Sequence, residues 1–327
     1  MAKFSDVELA MTAKIFDEEE EADHKVKKRN WVQEAWKKRE SEGEFATLYK
    51  ELIDDEAKLF QYLAKGDSLK TISFSYRLEH STVYKIVMDT CKLITENFMS
   101  EMLPNPSTEM WRTVANDFSA LWNYPNCLGA LDGKHFTIQA PPNSGSLYFN
   151  YKKTFSIVLL ALVDARYNFI AIDVGAYEKN SDGGIFANSS PGKALQRGTL
   201  TVPGNATLPG TGTEAPYVMA GDEAFSLKTY LMLPYPGQDL DTSRSVINYQ
   251  LCRARRAVEN TFGILAKKFR VCNRRIQAKP ENGGHIILAV CILRNFIRKY
   301  DVDTCSYEIN ATVSETTEAR FENLPMP

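Results

Sequence analysis

Apolar positions along the chain change their period twice. Through residues 45–98 they recur at helical spacing, as at Leu59, Tyr62 and Leu63, with Gly66 as a stop signal. Residues 67–94 predict a helix over about 69–76, a turn, and a second helix capped by Ser81 or Thr82. Between residues 127 and 220 the helical period gives way to short apolar runs of strand length, at 127–131, 136–139, 156–163, 169–174 and 217–220. Helical spacing returns from residue 248 to 300, where Leu251, Ala254, Val258, Phe262 and Leu265 form an apolar stripe. The expected fold is α/β, a mixed sheet flanked by helices over 127–300, preceded by an all-α region over 45–103. Pro104, Pro106 and Pro125 mark 104–126 as a connection, and the Gly-, Pro- and Thr-rich residues 198–216 read as an exposed loop. A charged leader over 1–44 and a tail over 301–327 complete the chain.

Composition narrows the function classes. With 44% hydrophobic and 24% charged residues the chain has the make-up of a soluble globular protein, and no apolar run approaches the roughly 18 residues a membrane helix needs. The first residues lack the features of a secretory signal, so a reducing compartment is expected. Six cysteines without a CxxC pair argue against a zinc module or a disulfide framework and read as mostly buried apolar groups. Net charge is only −2, but residues 248–280 hold nine Lys or Arg against the single acid Glu259, a local excess of +8. In the leader, mostly basic residues 25–29 follow nearly all-acidic residues 17–23, a pattern that could serve as a nuclear import signal but is common on solvated surfaces.

Three acids stand out by their settings. Asp132 ends the run CLGALDG before a glycine, which predicts a carboxylate at or just past the tip of a buried strand, and Asp222 in YVMAGDEAF has the same surroundings. Glu259 flanks the apolar stripe of the late helix, so it can lean over the sheet edge toward both aspartates. Three such carboxylates suit a hard divalent cation, and two ions about 4 Å apart can activate water and stabilise a leaving 3′ oxygen. Spacing alone also fits turn-forming aspartates and a Glu259 paired with Arg255 one turn earlier. Within the all-α region, Ser81, Thr82, Tyr84 and Lys85 would lie at the start of a recognition helix, although the pattern fits a plain helical hairpin as well. Residues 148–153 (YFNYKK) fit either a nucleic-acid surface or a hairpin with core tyrosines.

Five segments, GALDGKHF, PPNSGSLYFNYKKTFSIVLLALVDARYNF, DVGAYEKNSDGGIFANS, YVMAGDEAF and NYQLCRARRAVENTFGILAKKFR, together resemble the PIF/Harbinger transposase family over about residues 125–300. The resemblance implies an RNase H-like DDE nuclease domain with Asp132, Asp222 and Glu259 as its catalytic, metal-holding triad, spaced 222 − 132 = 90 and 259 − 222 = 37 residues apart. It further implies Mg²⁺ or Mn²⁺, two ions in the site, an upstream helix-turn-helix, double-stranded DNA as substrate, a Myb-like accessory protein, a homo-oligomer and a nuclear location. Arg253, Arg255, Arg256, Lys267, Lys268 and Arg270, on or just after the helix of Glu259, would then meet phosphates.

The chain departs from the family pattern at Lys134, where many members carry Thr, at Glu178, where Gly is usual, and at Leu293-Arg294-Asn295, where the family shows Leu-His-Asn. No triad carboxylate is lost. Asp182 is an accessory candidate with a turn-forming alternative, and His135 could reach phosphate from the turn of Asp132 or serve as a structural hydrogen-bonding group. The alternative function is a domesticated, non-catalytic DNA- or partner-binding protein that keeps the fold.

Overall fold

The computed structural model describes residues 61–150, 152–176, 182–198 and 200–300. The leader, Leu59, Glu178, Cys305 and the tail lie outside them. After α1 (Gln61–Lys65), Gly66 takes a φ of 65°, and a Cβ there would come within 2.9 Å of the Arg270 and Val271 backbone, so only glycine allows this approach. α2 (Leu69–Ser75) starts at Ser68, whose hydroxyl accepts the Thr71 N–H at 3.0 Å. The chain then reverses through Arg77 at φ 53°, and α3 (His80–Met102) begins with Glu79 as its N-cap. Neither Ser81 nor Thr82 is the cap, because the reversal at Arg77 leaves both inside the first turn.

Residues 104–126 contain more than a connection. The prolines bracket α4 (Thr108–Trp122) without interrupting it, and Trp111, Val114, Ala115, Phe118 and Trp122 fall on one buried face. Each buried large side chain there contributes about 1.5–3 kcal/mol, and the Trp122 indole N–H is satisfied by the Ala165 carbonyl at 3.0 Å.

β1 (Cys127–Thr137) pairs antiparallel with β2 (Ser156–Val163), which pairs antiparallel with β3 (Phe169–Ala176). Every residue of β2 is buried, as expected of a strand covered on both faces. α5 (Asp182–Asn188), α6 (Ser190–Gln196) and a small ribbon of β4 (Ala206–Thr207) with β5 (Glu214–Ala215) follow, so the 198–216 loop holds two short strands. β6 (Val218–Ala220) and β7 (Leu231–Met232) add in parallel to β1, giving the mixed order β3-β2-β1-β6-β7. The late helical stretch divides into α7 (Thr242–Lys268), a 3-10 turn (Arg270–Asn273) and α8 (Pro280–Tyr300).

β1 corrects the strand pattern read from the sequence. Two strands, 127–131 and 136–139, were expected around a turn at Gly133. Instead Gly133 pairs with Leu160 and the strand continues through it. α7 and α8 cover one face of this sheet: Lys134, beside Phe136, lies 5.5 Å from the Phe262 ring of α7, and Gly283 of α8 faces Ile157, the partner of Phe136. α3 runs parallel to α8, with Tyr84 opposite Asn282, Phe98 opposite Phe296 and Glu101 opposite Lys299. Leu63, Met88, Cys91 and Ile94 thereby join the same hydrophobic cluster as the sheet. Among the described residues no helix is long and apolar enough to cross a membrane. Cys91, Cys127 and Cys291 are buried free thiols as expected, whereas Cys252 is exposed.

Candidate active site

Parallel pairing sets the two aspartates abreast. Ala130 of β1 is opposite Ala220 of β6, and Asp132 and Asp222 each lie two residues further on. Strand side chains alternate, so Asp132 points to the same face as Lys134, the face covered by α7; from α7 Arg255 reaches Asp222 Oδ2 at 3.7 Å. Asp132 sits within β1 and not at its end, whereas Asp222 lies two residues past the end of β6 at Ala220. Beyond β6 the Asp222 Oδ1 accepts the Ala224 N–H at 3.1 Å, which fixes the turn.

Helix α7 supplies the third carboxylate. Its buried stripe is Leu251, Ala254, Ala257, Val258, Thr261, Phe262 and Leu265, and Glu259 flanks it with its side chain 54% exposed. One turn earlier, Arg255 reaches back to the sheet: its Nη2 is 3.7 Å from Asp222 Oδ2 and 3.6 Å from Glu259 Oε1. One nitrogen thus stands between two of the three candidate carboxylates. Arg255, expected as a phosphate contact, is mostly buried in this position.

Burial pushes the Asp132 carboxyl up to about 6, well above its ordinary value. The Gly133 N–H, 2.8 Å from Oδ1, opposes the shift, the Asp222 carboxylate adds to it, Arg255 opposes it and Glu259 adds weakly. The three acids and Arg255 therefore form one electrostatic unit.

Other expected site residues divide by location. His135 stands three residues after Asp132 in an unbroken strand, so it faces the opposite side, where its Nδ1 is 3.4 Å from Ser156 Oγ; the shared turn expected for it does not exist. Tyr84 is turned into the helical interface, its hydroxyl accepting from Asn282 Nδ2 at 2.6 Å, while Ser81, Thr82 and Lys85 are exposed. Arg256, Lys267, Lys268 and Arg270 are exposed, and Arg253 lies half-buried with its guanidinium 5.9 Å from the Tyr249 ring. Asp182 is the first residue of α5. Among the described residues of the YFNYKK segment Asn150 is buried; it accepts the Thr154 N–H at 3.0 Å and donates to Ser156 Oγ at 2.8 Å, while Tyr151 lies outside the described residues. Lys134 received no role from the sequence, yet it lies on the Asp132 face of β1; its place two residues after Asp132 in the same strand was the available signal.

Among the described residues no group of three or more His, Cys, Asp or Glu is gathered closely enough to hold a metal ion. The donor set nevertheless suits a hard cation, since it offers only carboxylate oxygens, and the place between Asp222 and Glu259 is one that a cation, the Arg255 guanidinium, already takes.

No solved structure matches the chain. It is 25% identical to Protein ALP1-like of Arabidopsis thaliana over 75% of this chain and 60% of that protein. It is 24% identical to Putative nuclease HARBI1 of Bos taurus over 65% and 58%, and 21% identical to the Arabidopsis thaliana Protein Antagonist of Like Heterochromatin Protein 1 over 72% and 59%. The match thus spans 60% or less of each relative's own length. The family model of the DDE superfamily endonucleases matches residues 131–295, which contain Asp132, Asp222 and Glu259. With about half of its length matched by that model and a mixed sheet flanked by helices, the chain belongs to the DDE superfamily endonucleases.

Proposed function

We propose that the protein is a metal-dependent DNA nuclease of the transposase type, which hydrolyses phosphodiester bonds at transposon ends and joins the freed 3′ hydroxyl to target DNA. The observation that carries this reading is the Arg255 guanidinium bridging Asp222 and Glu259 beside Asp132: three acids from β1, the end of β6 and α7 share one charge field. The sheet order, with two antiparallel neighbours on one side of β1 and parallel strands on the other, supports the RNase H-like arrangement. Asp132, Asp222 and Glu259 would hold Mg²⁺ or Mn²⁺. When bound, two such ions supply activation of the attacking water and charge for the leaving 3′ oxygen.

The protein's own residues position the DNA. Arg256 and Lys267 lie on the exposed side of α7 with Glu259, and Lys268 and Arg270 follow, so a strand reaching Glu259 passes cations that neutralise its phosphates. Ser81, Thr82 and Lys85 at the exposed start of α3 are the candidates for duplex contact through a helix-turn-helix. Double-stranded DNA, a Myb-like accessory protein, a homo-oligomer and a nuclear location belong to the same reading.

A second reading, a domesticated protein that binds DNA or a partner without cutting, is favoured by one observation: the carboxylates do not gather into a metal-holding group among the described residues. A nicking assay with Mg²⁺ on terminal-repeat DNA, with and without the accessory protein, separates the two. Cleavage by the wild type that is lost in Asp132→Ala and Glu259→Ala supports the nuclease; no cleavage by the wild type under any of these conditions supports the second reading.

A further inference from the structure

Arg255 occupies the cation position between Asp222 and Glu259 without fitting it tightly. Both contacts of its Nη2, at 3.7 and 3.6 Å, exceed hydrogen-bonding distance, and its buried Nε has no hydrogen-bond partner among the described residues. The guanidinium comes from the same helix as Glu259, one turn earlier, so α7 delivers the acid and its counter-charge together. It is permanently charged and has no acceptor, so it cannot itself ligate a metal. A divalent ion approaching the same oxygens therefore meets a like charge a few ångströms away.

We propose that Arg255 is the built-in counter-cation of this carboxylate site: its single charge offsets part of the charge of Asp222 and Glu259 while no divalent ion is bound, and a divalent ion must displace it to reach those oxygens. This rests on the metal-dependent reading above. The guanidinium keeps the three acids from repelling one another in the metal-free protein, and it raises the metal concentration at which the site fills.

The test is titration of Mn²⁺ alone into the full chain, as wild type, Arg255→Gln and Arg255→Lys, followed by calorimetry, with melting curves in chelator and in Mn²⁺. Removing a unit charge at this separation should tighten Mn²⁺ binding roughly tenfold in Arg255→Gln. The same variant should melt lower in chelator and gain more from Mn²⁺ than the wild type does, while Arg255→Lys, which keeps the charge, should bind Mn²⁺ nearly as the wild type. Arg255→Met, which keeps the packing of the stem, repeats the measurement if the glutamine variant does not fold. Mn²⁺ binding that is equal or weaker in the uncharged variants overturns the counter-cation role and leaves the metal site standing; binding by none of the chains overturns the metal reading itself.

Discussion

The Asn295 side chain accepts the Phe169 N–H at 3.0 Å and donates to the Phe169 carbonyl at 2.8 Å. Its amide also donates to the Met102 carbonyl at 2.9 Å, so one buried residue of α8 ties the start of β3 to the end of α3. Truncation to alanine would strand a buried N–H and two carbonyls. Asn295→Ala should therefore lose about 2–4 kcal/mol and melt roughly 5–10 °C lower. Urea denaturation of the two chains checks this, and a loss under 1 kcal/mol would mean that the tie is not formed in solution.

Burial raises the Asp132 carboxyl from an ordinary 3.8 to about 6, so the folded chain holds that proton more tightly than the unfolded chain does. The favourable contribution is complete below pH ~4 and is lost as pH rises through about 6. Asp132→Asn removes the cost of burying the charge. In chelator, the variant should match the wild type near pH 4 and exceed it near pH 7 by up to roughly 3 kcal/mol. A difference that stays flat across pH 4–7 in denaturant titrations would contradict the desolvated carboxylate.

How far the sequence reached differs from element to element. The stripe Leu251, Ala254, Val258, Phe262 and Leu265 is buried as its period predicts, because a 3.6-residue repeat is local information. Gly133 was misread as a turn because glycine is favoured in turns and depleted in strands; pairing with Leu160, across 27 residues, decides it. That one error misplaced Asp132 at a strand end and put His135 in a turn shared with it. α4 was missed because Pro104, Pro106 and Pro125 signal breaks without saying whether they interrupt a helix or frame it. Charge counting sent Arg255 to the solvent with its neighbours, whereas the fold turns it inward to Asp222, a residue 33 positions earlier. The i,i+4 pairing with Glu259 was legible; the bridge was not, since no local rule brings β6 beside α7.

Gly263 lies inside α7 on the exposed side that carries Arg256, Glu259 and Lys267, and a Cβ added there would meet nothing within 4 Å. Packing does not require this glycine, which costs the helix about 0.5–1 kcal/mol relative to alanine. Gly263→Ala should therefore raise stability by about that amount. If the cleaved strand lies close to this face, one turn beyond Glu259, the added methyl should also lower DNA cleavage. Thermal melting reads the first effect and the nicking assay the second; a more stable variant with wild-type cleavage would move the strand away from this face.

Lys267 and Lys268 close α7, both exposed, and Arg270 follows in the 3-10 turn. Cations at a helix C-terminus are favoured by the helix dipole alone, so their presence does not by itself indicate DNA. Salt dependence separates the two roles. A phosphate contact releases condensed counterions, and log K falls with log salt at about 0.9 per contact on duplex DNA. Removing two such contacts in Lys267→Gln/Lys268→Gln should flatten the slope by roughly two and weaken binding to unrelated duplexes as much as to terminal-repeat DNA, because phosphates carry no sequence information. Fluorescence anisotropy between 50 and 200 mM salt measures both quantities, and an unchanged slope would leave the two lysines as helix-capping charges only.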